Sequence, residues 1–165
     1  MGFVFVGTAL AATGMPKKTV DPKTQALKLL ARREHSAREL KRKLAARGIT
    51  DDEAAAAVEH AIAENWQSDA RYAGMLLRTR VAGGYGPVRI EAELEVAGVP
   101  ADQVRAAFDE AAVDWRALAI EVHAKKFGQL PKTSAERARQ YRYLQGRGFD
   151  ASQVSAALKG ELPDP

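Results

Sequence analysis

The feature that most constrains the fold is a pattern that recurs three times at a spacing of 50 residues. In each copy a stretch with helical apolar spacing ends in a glycine, at positions 48, 98 and 148, and an apolar residue follows at once. Glycine accepts the left-handed conformation that ends many helices. A period of this size is typical of helical repeat arrays. The sequence therefore predicts an all-α fold of three tandem three-helix repeats.

The apolar residues on either side of each glycine predict how the preceding helix ends. In the Schellman motif, the residue after a left-handed glycine packs against the residue four positions before that glycine. Each copy has apolar residues at both positions. The predicted pairs are Leu44 with Ile49, Leu94 with Val99, and Leu144 with Phe149.

A further helix is predicted to begin directly after each pair. Thr50 with Glu53 fits a capping box, and Asp150 with Gln153 fits a looser version of it. Pro100 occupies the same position in the second copy and offers no side-chain acceptor. We therefore expect that helix to begin slightly differently.

Apolar spacing also predicts which residues form the core. Helices over about 23–33, 69–81 and 115–127 open the three copies, with core residues Leu27, Leu30, Tyr72, Leu76, Trp115, Leu118 and Val122. The helix after Thr50 is predicted to bury Ala54, Ala57, Val58, Ala61 and Ile62. Large aromatic residues are more often buried than ligand-binding. We therefore also assign to the core Trp66, Phe108, Phe127, Tyr143 and Phe149.

These patterns divide the chain into repeat 1 at 23–68, repeat 2 at 69–114 and repeat 3 at 115–160, with tails at 1–22 and 161–165. The first tail is apolar and then basic, and we expect it to be disordered. Its apolar run is shorter than the roughly 20 residues that span a membrane, and no basic residue precedes it as in a secretory signal. Met1 and Met15 are both candidate start sites, and a cleaved signal is the alternative.

Charge is distributed unevenly over a chain whose formal net charge is +4. Residues 17–50 hold 11 Lys and Arg against 3 Asp and Glu, and residues 115–165 hold 9 against 5, whereas residues 51–114 hold 5 against 13. Basic stretches attract phosphates or acidic protein surfaces, although they are also typical of a solvated helix face. The two basic ends are therefore the candidate binding regions.

Residue patterns typical of catalysis or metal binding are sparse. The chain has no cysteine, and His35, His60 and His123 have no metal-binding spacing. The glycine cluster at 83–87 lacks the Lys-Ser/Thr of a phosphate-binding loop, and we interpret it as a break between helices. We therefore predict that the protein is not an enzyme, and we expect neither a metal nor a cofactor.

The ordered motifs of the three copies resemble the RecX family, bacterial regulatory proteins that modulate the RecA recombinase. Repeat 1 carries ALKLLARREHSAREL over 26–40 and RGI at 47–49; repeat 2 carries GYGPVRI over 84–90 and GV at 98–99; repeat 3 carries KKF at 125–127 and YLQGRGF over 143–149. The resemblance covers residues 24–160. Gln140 departs from it, since Leu40 and Ile90 occupy the equivalent positions, so the packing of repeat 3 is in question.

The resemblance implies that the three-helix repeats are stacked into an elongated, curved array. It also implies binding to the RecA–DNA filament and inhibition of strand exchange, ATP hydrolysis and coprotease activity in recombination, DNA repair and the SOS response. The implied partners are the RecA filament and single- or double-stranded DNA, with no membrane, and the implied location is cytoplasmic. The lack of a long heptad seam favours a monomer.

Basic residues of the three repeats are the candidates for contact with RecA or DNA. They are Arg32, Arg33, Arg38, Lys41, Arg42, Lys43, Arg47, Arg78, Arg80, Arg89, Lys125, Lys126, Lys132, Arg137, Arg139, Arg142 and Arg147. Two alternatives stay open. One is a helical nucleic-acid-binding module without a RecA partner, and the other is a repeat scaffold that binds a different acidic protein.

Overall fold

The computed structural model describes residues 21–160, and within this range the chain forms nine α-helices and no strand. The helices are α1 Pro22–Leu30, α2 Ala37–Ala45, α3 Asp51–Ala63, α4 Asp69–Ala82, α5 Pro87–Val96, α6 Ala101–Ala111, α7 Trp115–Phe127, α8 Ser134–Gly146 and α9 Ala151–Lys159. The predicted tails lie outside the described residues, apart from Asp21 and Pro22. Asp21 caps α1 by accepting a hydrogen bond from the Thr24 N–H over 2.9 Å.

Three consecutive helices form each repeat. Every extensively packed pair of described helices lies within one repeat, as α1 with α3, α4 with α6, and α7 with α9. Each repeat therefore encloses its own hydrophobic core. The predicted all-α fold of three three-helix repeats is confirmed.

A left-handed glycine follows the second helix of every repeat. The φ angles are +81° at Gly48, +77° at Gly98 and +92° at Gly148. In each case the residue after the glycine donates its N–H to the carbonyl of a leucine, and this leucine lies four positions before the glycine. These bonds join Ile49 to Leu44 over 3.4 Å, Val99 to Leu94 over 3.1 Å, and Phe149 to Leu144 over 3.3 Å. All six side chains are buried, so the three predicted Schellman motifs are confirmed.

The third helix of each repeat follows this turn closely, with one N-cap residue between the apolar residue and the first helical residue. Thr50 and Glu53 form a capping box, and so do Asp150 and Gln153, as predicted. Pro100 makes no side-chain cap. The start of α6 therefore differs from those of α3 and α9 in its capping, as expected, although α6 begins at the equivalent position, directly after Pro100. The preceding Schellman turn sets the register without help from a side-chain cap.

Two residues assigned to the core are exposed instead. Leu27 is 44% exposed and Ile62 is 50% exposed. Both lie at the edge of the buried face of their helix, roughly 80–120° from its centre at 100° per residue. In α1 the buried residues are Ala26 and Leu29, and the helix ends at Leu30 rather than near residue 33.

The third core contains a polar pair where the other two repeats are apolar. Gln140 is 2% exposed, and its Oε1 lies 2.7 Å from Nε2 of His123, which is 3% exposed. Gln140 occupies the position of Leu40 and Ile90, which are fully buried. The hydrogen bond gives each buried polar side chain a partner, so repeat 3 packs like the others despite the departure at Gln140.

Removing one member of this pair should destabilise the protein more than removing both. Gln140→Leu or His123→Leu alone leaves a buried polar group without its partner, at a cost of about 1–3 kcal/mol. We expect the double variant, which restores apolar packing, to unfold within about 1 kcal/mol of the parent. Denaturant unfolding followed by circular dichroism measures this. A double variant whose loss equals the sum of the single losses would contradict the coupling.

Repeats 2 and 3 meet through their backbones. The Gly86 N–H donates to the Arg147 carbonyl over 2.8 Å, and the Val88 N–H donates to the Gly148 carbonyl over 3.1 Å. A Cβ on Gly86 would overlap the Gly148 carbonyl, and a Cβ on Gly148 would overlap Arg89. The glycine cluster at 83–87 therefore does more than break the chain between helices, because it lets two helix ends approach closely.

Alanine substitutions separate backbone conformation from close approach at these glycines. Gly48→Ala meets open space but keeps a left-handed φ, so we expect a loss of about 1–2 kcal/mol. At Gly86 the φ is an ordinary −85°, so Gly86→Ala suffers only the overlap of its Cβ with the Gly148 carbonyl. Gly148→Ala suffers both a left-handed φ and an overlap with Arg89, so we expect it to lose the most free energy of unfolding of the three variants in denaturant unfolding. Equal losses for Gly148→Ala and Gly48→Ala would rule out the close contact between repeats 2 and 3.

Candidate functional site

Several predicted contact residues are held by carboxylates. Arg33 and Lys43 pair with Glu39 over 2.5 and 3.7 Å, and Arg80 and Arg89 pair with Glu93 over 2.6 and 3.0 Å. Arg80 and Glu93 join α4 to α5, Arg33 joins the α1–α2 connection to α2, and the other two pairs link successive turns of one helix. Part of the positive charge of repeats 1 and 2 is therefore neutralised on the surface.

Other predicted contact residues donate to backbone carbonyls. Arg38 donates to the Val96 carbonyl over 3.1 Å, and Arg147 donates to the Gly83 carbonyl over 2.9 Å. Both bonds cross from one repeat to the next. Arg47 donates to the Lys43 carbonyl within its own helix end. Arg38 and Arg147 therefore help to set the angle between neighbouring repeats, which the sequence analysis did not anticipate.

The remaining candidates make no ion pair with the described residues. They are Arg32, Lys41, Arg42, Arg78, Lys125, Lys126, Lys132, Arg137, Arg139 and Arg142. All of them are exposed, and they fall mainly in repeats 1 and 3. Their charge is available to an incoming partner.

A groove of about 530 Å³, here called the junction groove, lies between repeats 1 and 2. Its apolar part includes Tyr72 and Leu76, each 8% exposed, and Val96, which is 76% exposed. Its charged part comprises Arg38, Arg42, Arg80, Arg89, Glu39 and Glu93. The structure thus brings together arginines from two repeats around an apolar surface, which suits an acidic protein surface with apolar side chains.

The two carboxylates of the junction groove are ionised near neutral pH. Burial by itself raises the pKa of Glu93, but the hydrogen bonds and charges of Arg80 and Arg89 hold it below its usual value. The pKa of Glu39 is lowered in the same way, with burial opposed mainly by Arg33. Arg80 and Arg89 are therefore held in place by the negative charge of Glu93.

A polar network ties repeat 1 to repeat 2 beside this groove. The Gln67 side chain is buried and donates to the His35 carbonyl over 3.1 Å and to Asp69 Oδ1 over 2.8 Å. The same Asp69 oxygen accepts from the Ala37 N–H over 2.9 Å. Arg71 pairs with Glu34 across the junction over 2.7 Å. Residues near the start of α2 and α4 are thereby held together.

A second concave surface, here called the aromatic cleft, lies between repeats 2 and 3. It has a volume of about 350 Å³ and is lined by Gly83, Gly84, Lys125, Lys126, Tyr143 and Arg147 together with Val81, Ala82, Leu118, Glu121 and Val122. The Arg147 guanidinium lies 5.3 Å from the ring centre of Tyr143 and 4.7 Å from that of Tyr85. The cleft thus combines three cations with the part-exposed ring of Tyr143.

The sequence analysis missed the tyrosines of this region. It assigned Tyr143 and Phe127 to the core, and both are only partly buried, whereas Phe149 is 2% exposed. Tyr85 was passed over as part of a chain break. A signal in the sequence could have found Phe127 and Tyr143, because Lys126 directly precedes Phe127 and Arg147 lies four residues after Tyr143.

Neither a metal site nor a membrane span emerges from the described residues. No group of three or more His, Asp or Glu side chains between 21 and 160 is placed to hold a metal ion. No helix in this range has the length and apolar character needed to cross a bilayer.

Three tandem three-helix repeats, with arginines at both junctions, define the chain as a helical-repeat protein. Family models agree, repeat by repeat: "RecX, first three-helix domain" matches residues 23–60, the second domain 68–107 and the third 114–158. The chain belongs to the RecX family.

Known proteins support this assignment. "Regulatory protein RecX" of Xanthomonas campestris pv. campestris (strain B100) is 42% identical over 148 residues, covering 89% of this chain and 91% of that protein. Its counterpart in Stenotrophomonas maltophilia (strain R551-3) is 41% identical over 144 residues, covering 87% and 88%. The crystal structure of RecX from Lactobacillus salivarius superposes with a TM-score of 0.69 at 17% identity over 84% of this chain and 93% of the other. The RecX family is a family of regulatory proteins.

The protein should lose stability in acid through His35. Burial, and then the charge of Arg33, lower the pKa of His35, whose Nδ1 lies 2.9 Å from the Arg33 carbonyl. The folded state therefore binds fewer protons at His35 than the unfolded state, and its free energy of unfolding falls as pH is lowered through the unfolded pKa of about 6.5.

His35→Asn measures this contribution, since asparagine keeps a donor near Nδ1 but does not titrate. Between about pH 7.5 and about pH 5.5, we expect the melting temperature of the parent to fall more than that of the variant. His60 and His123 are common to both proteins and cancel in the comparison. Parallel pH profiles would show that His35 is not buried in its neutral form.

Proposed function

We propose that the chain regulates the RecA recombinase by binding the RecA–DNA filament and restraining its strand exchange, ATP hydrolysis and coprotease activity. Such a protein acts in recombination, DNA repair and the SOS response. The observation that carries the proposal is the match of all three repeats, in order, to RecX domains. Relatives named "Regulatory protein RecX" support it over most of the chain.

Exposed cations of repeat 1 supply one contact with the filament. Lys41 and Arg42 lie next to each other on α2, are exposed, and pair with no carboxylate among the described residues. Arg42 also lines the junction groove, whose apolar part includes Tyr72 and Leu76. A protein surface with carboxylates beside apolar residues would be complementary to both features.

Binding at more than one repeat suits a filament, because a filament offers the same site many times. Repeats 1 and 3 both carry exposed cations without ion pairs, and repeat 2 lies between them. Two weak contacts on one chain raise the overall affinity through the effective concentration of the second. We therefore propose that the repeats contact neighbouring positions along the filament, whether protein or DNA.

Reversing the exposed charges of α2 tests this function. In Lys41→Glu/Arg42→Glu we expect inhibition of RecA ATP hydrolysis on single-stranded DNA to need about tenfold more protein, because two attractive contacts become repulsive. Arg33 is left unchanged because it holds Glu39. The matched control is Lys23→Glu/Lys28→Glu, which makes the same charge change on exposed residues of α1.

The same titration separates the proposal from its alternatives. A parent protein that binds DNA but leaves RecA hydrolysis unchanged would be a nucleic-acid-binding module. A parent protein that neither affects RecA nor binds DNA at low salt would be a scaffold for a different partner. If both double variants inhibit as the parent does, the α2 surface is not the contact.

A further inference from the structure

Cations and aromatic rings alternate along one strip that crosses from repeat 2 to repeat 3. Tyr85 has the guanidinium groups of Arg89 and Arg147 at 4.6 and 4.7 Å from its ring centre. Arg147 also lies 5.3 Å from the ring of Tyr143, and Lys126 Nζ lies 5.5 Å from that same ring. The strip therefore presents planar groups and positive charge together.

The strip continues into repeat 3. The ring of Tyr143 meets that of Phe127 edge-on, with 5.3 Å between their centres, and the Arg139 guanidinium lies 5.9 Å from the Phe127 ring. The three aromatic side chains of the strip are partly exposed. They are Tyr85, Phe127 and Tyr143. Each ring therefore keeps part of its surface open to solvent beside a cation.

The cations of the aromatic cleft differ from those of the junction groove in their charge balance. Arg80 and Arg89 share the carboxylate of Glu93. Within the described chain, no carboxylate pairs with Lys125, Lys126 or Arg147. Glu121 lines the cleft without forming an ion pair to them. The cleft therefore carries a net positive charge that an anionic ligand could approach.

We infer that the aromatic cleft binds single-stranded nucleic acid, stacking an unpaired base against Tyr143 and Arg147 while Lys125 and Lys126 bind the neighbouring phosphates. Bases of a single strand stack on aromatic rings and guanidinium planes, and cations follow the backbone. A volume of about 350 Å³ lies at the small end of ligand sites, which suits one nucleotide of a longer strand. A duplex keeps its bases stacked internally, so it offers no unpaired base to stack on Tyr143.

This inference deepens the proposed function by naming the part of a RecA–DNA filament that repeat 3 would contact, and it can fail separately. Its test is fluorescence anisotropy of a labelled oligothymidine and of a duplex of equal length, without RecA. The variants are Tyr143→Leu, Tyr143→Phe and Lys125→Glu/Lys126→Glu, and the control for charge is Lys23→Glu/Lys28→Glu. Circular dichroism checks that each variant is folded.

Tyr143→Leu should weaken binding of the single strand about tenfold and leave duplex binding unchanged, because the variant loses the ring on which one base stacks. Tyr143→Phe keeps the ring and should bind like the parent. Lys125→Glu/Lys126→Glu should weaken both ligands. It should also reduce the salt slope of single-strand binding by about 1.4, since each phosphate contact contributes about 0.7.

Two results would overturn the inference. In the first, Tyr143→Leu and Lys125→Glu/Lys126→Glu both bind the single strand as the parent does, which places nucleic acid elsewhere on the protein. In the second, Lys125→Glu/Lys126→Glu loses inhibition of RecA while DNA binding is unchanged, which makes the cleft a contact for protein. Because Lys125 and Lys126 are exposed on α7, their variants stay informative if Tyr143→Leu is unstable. If the parent protein does not inhibit RecA, the proposed function is wrong, but the DNA-binding measurement still tests the aromatic cleft because it contains no RecA.

Discussion

The turn made by Gly48, Gly98 and Gly148 is the element on which the rest of the structure depends. Each glycine reverses the chain after a second helix, and the next apolar residue bonds back to a buried leucine. This places the start of the third helix against the core of its own repeat. The same turn at Gly148 also receives the start of α5, so one local conformation both closes a repeat and joins it to its neighbour.

The two junctions use the same architecture with different chemistry. Repeat 1 meets repeat 2 through a polar network around Gln67 and Asp69 and an ion pair of Arg71 with Glu34. Repeat 2 meets repeat 3 through backbone bonds at Gly86 and aromatic–cation contacts. Beside the first junction Glu39 and Glu93 neutralise part of the basic charge, whereas no carboxylate of the described residues pairs with Lys125, Lys126 or Arg147 beside the second. Two surfaces of one array therefore differ in the partner that they favour.

The sequence was informative where a local rule determines the structure. Helix ends were predictable because a left-handed turn needs glycine, and helix starts because caps need an acceptor such as Thr50 or Asp150. The edges of buried faces were not predictable. Leu27 and Ile62 are as apolar as core residues and differ from them only in their angle around the helix axis. A 100° rotation is decided by how the helices pack, and no single residue encodes it.

The sequence identified the basic residues of the candidate site, but it did not predict which of them form ion pairs or which lie close together in the fold. Sequence alone treats Arg33 and Arg42 alike, yet the first is held by Glu39 and the second makes no ion pair among residues 21–160. Likewise, the bond from Arg147 to the Gly83 carbonyl joins positions 64 residues apart. Contacts at such separations depend on how the repeats stack, which a pattern within one repeat does not contain.

Close packing of helices within repeats, and lighter contact between them, has a mechanical consequence. Tilting one repeat against the next strains the bonds around Gly86 and Gln67 but leaves all three hydrophobic cores intact. The array is then stiff within each unit and compliant at two defined joints. A ligand with helical symmetry presents successive sites at a fixed rotation, and a chain jointed in this way can match that rotation by bending rather than by unfolding.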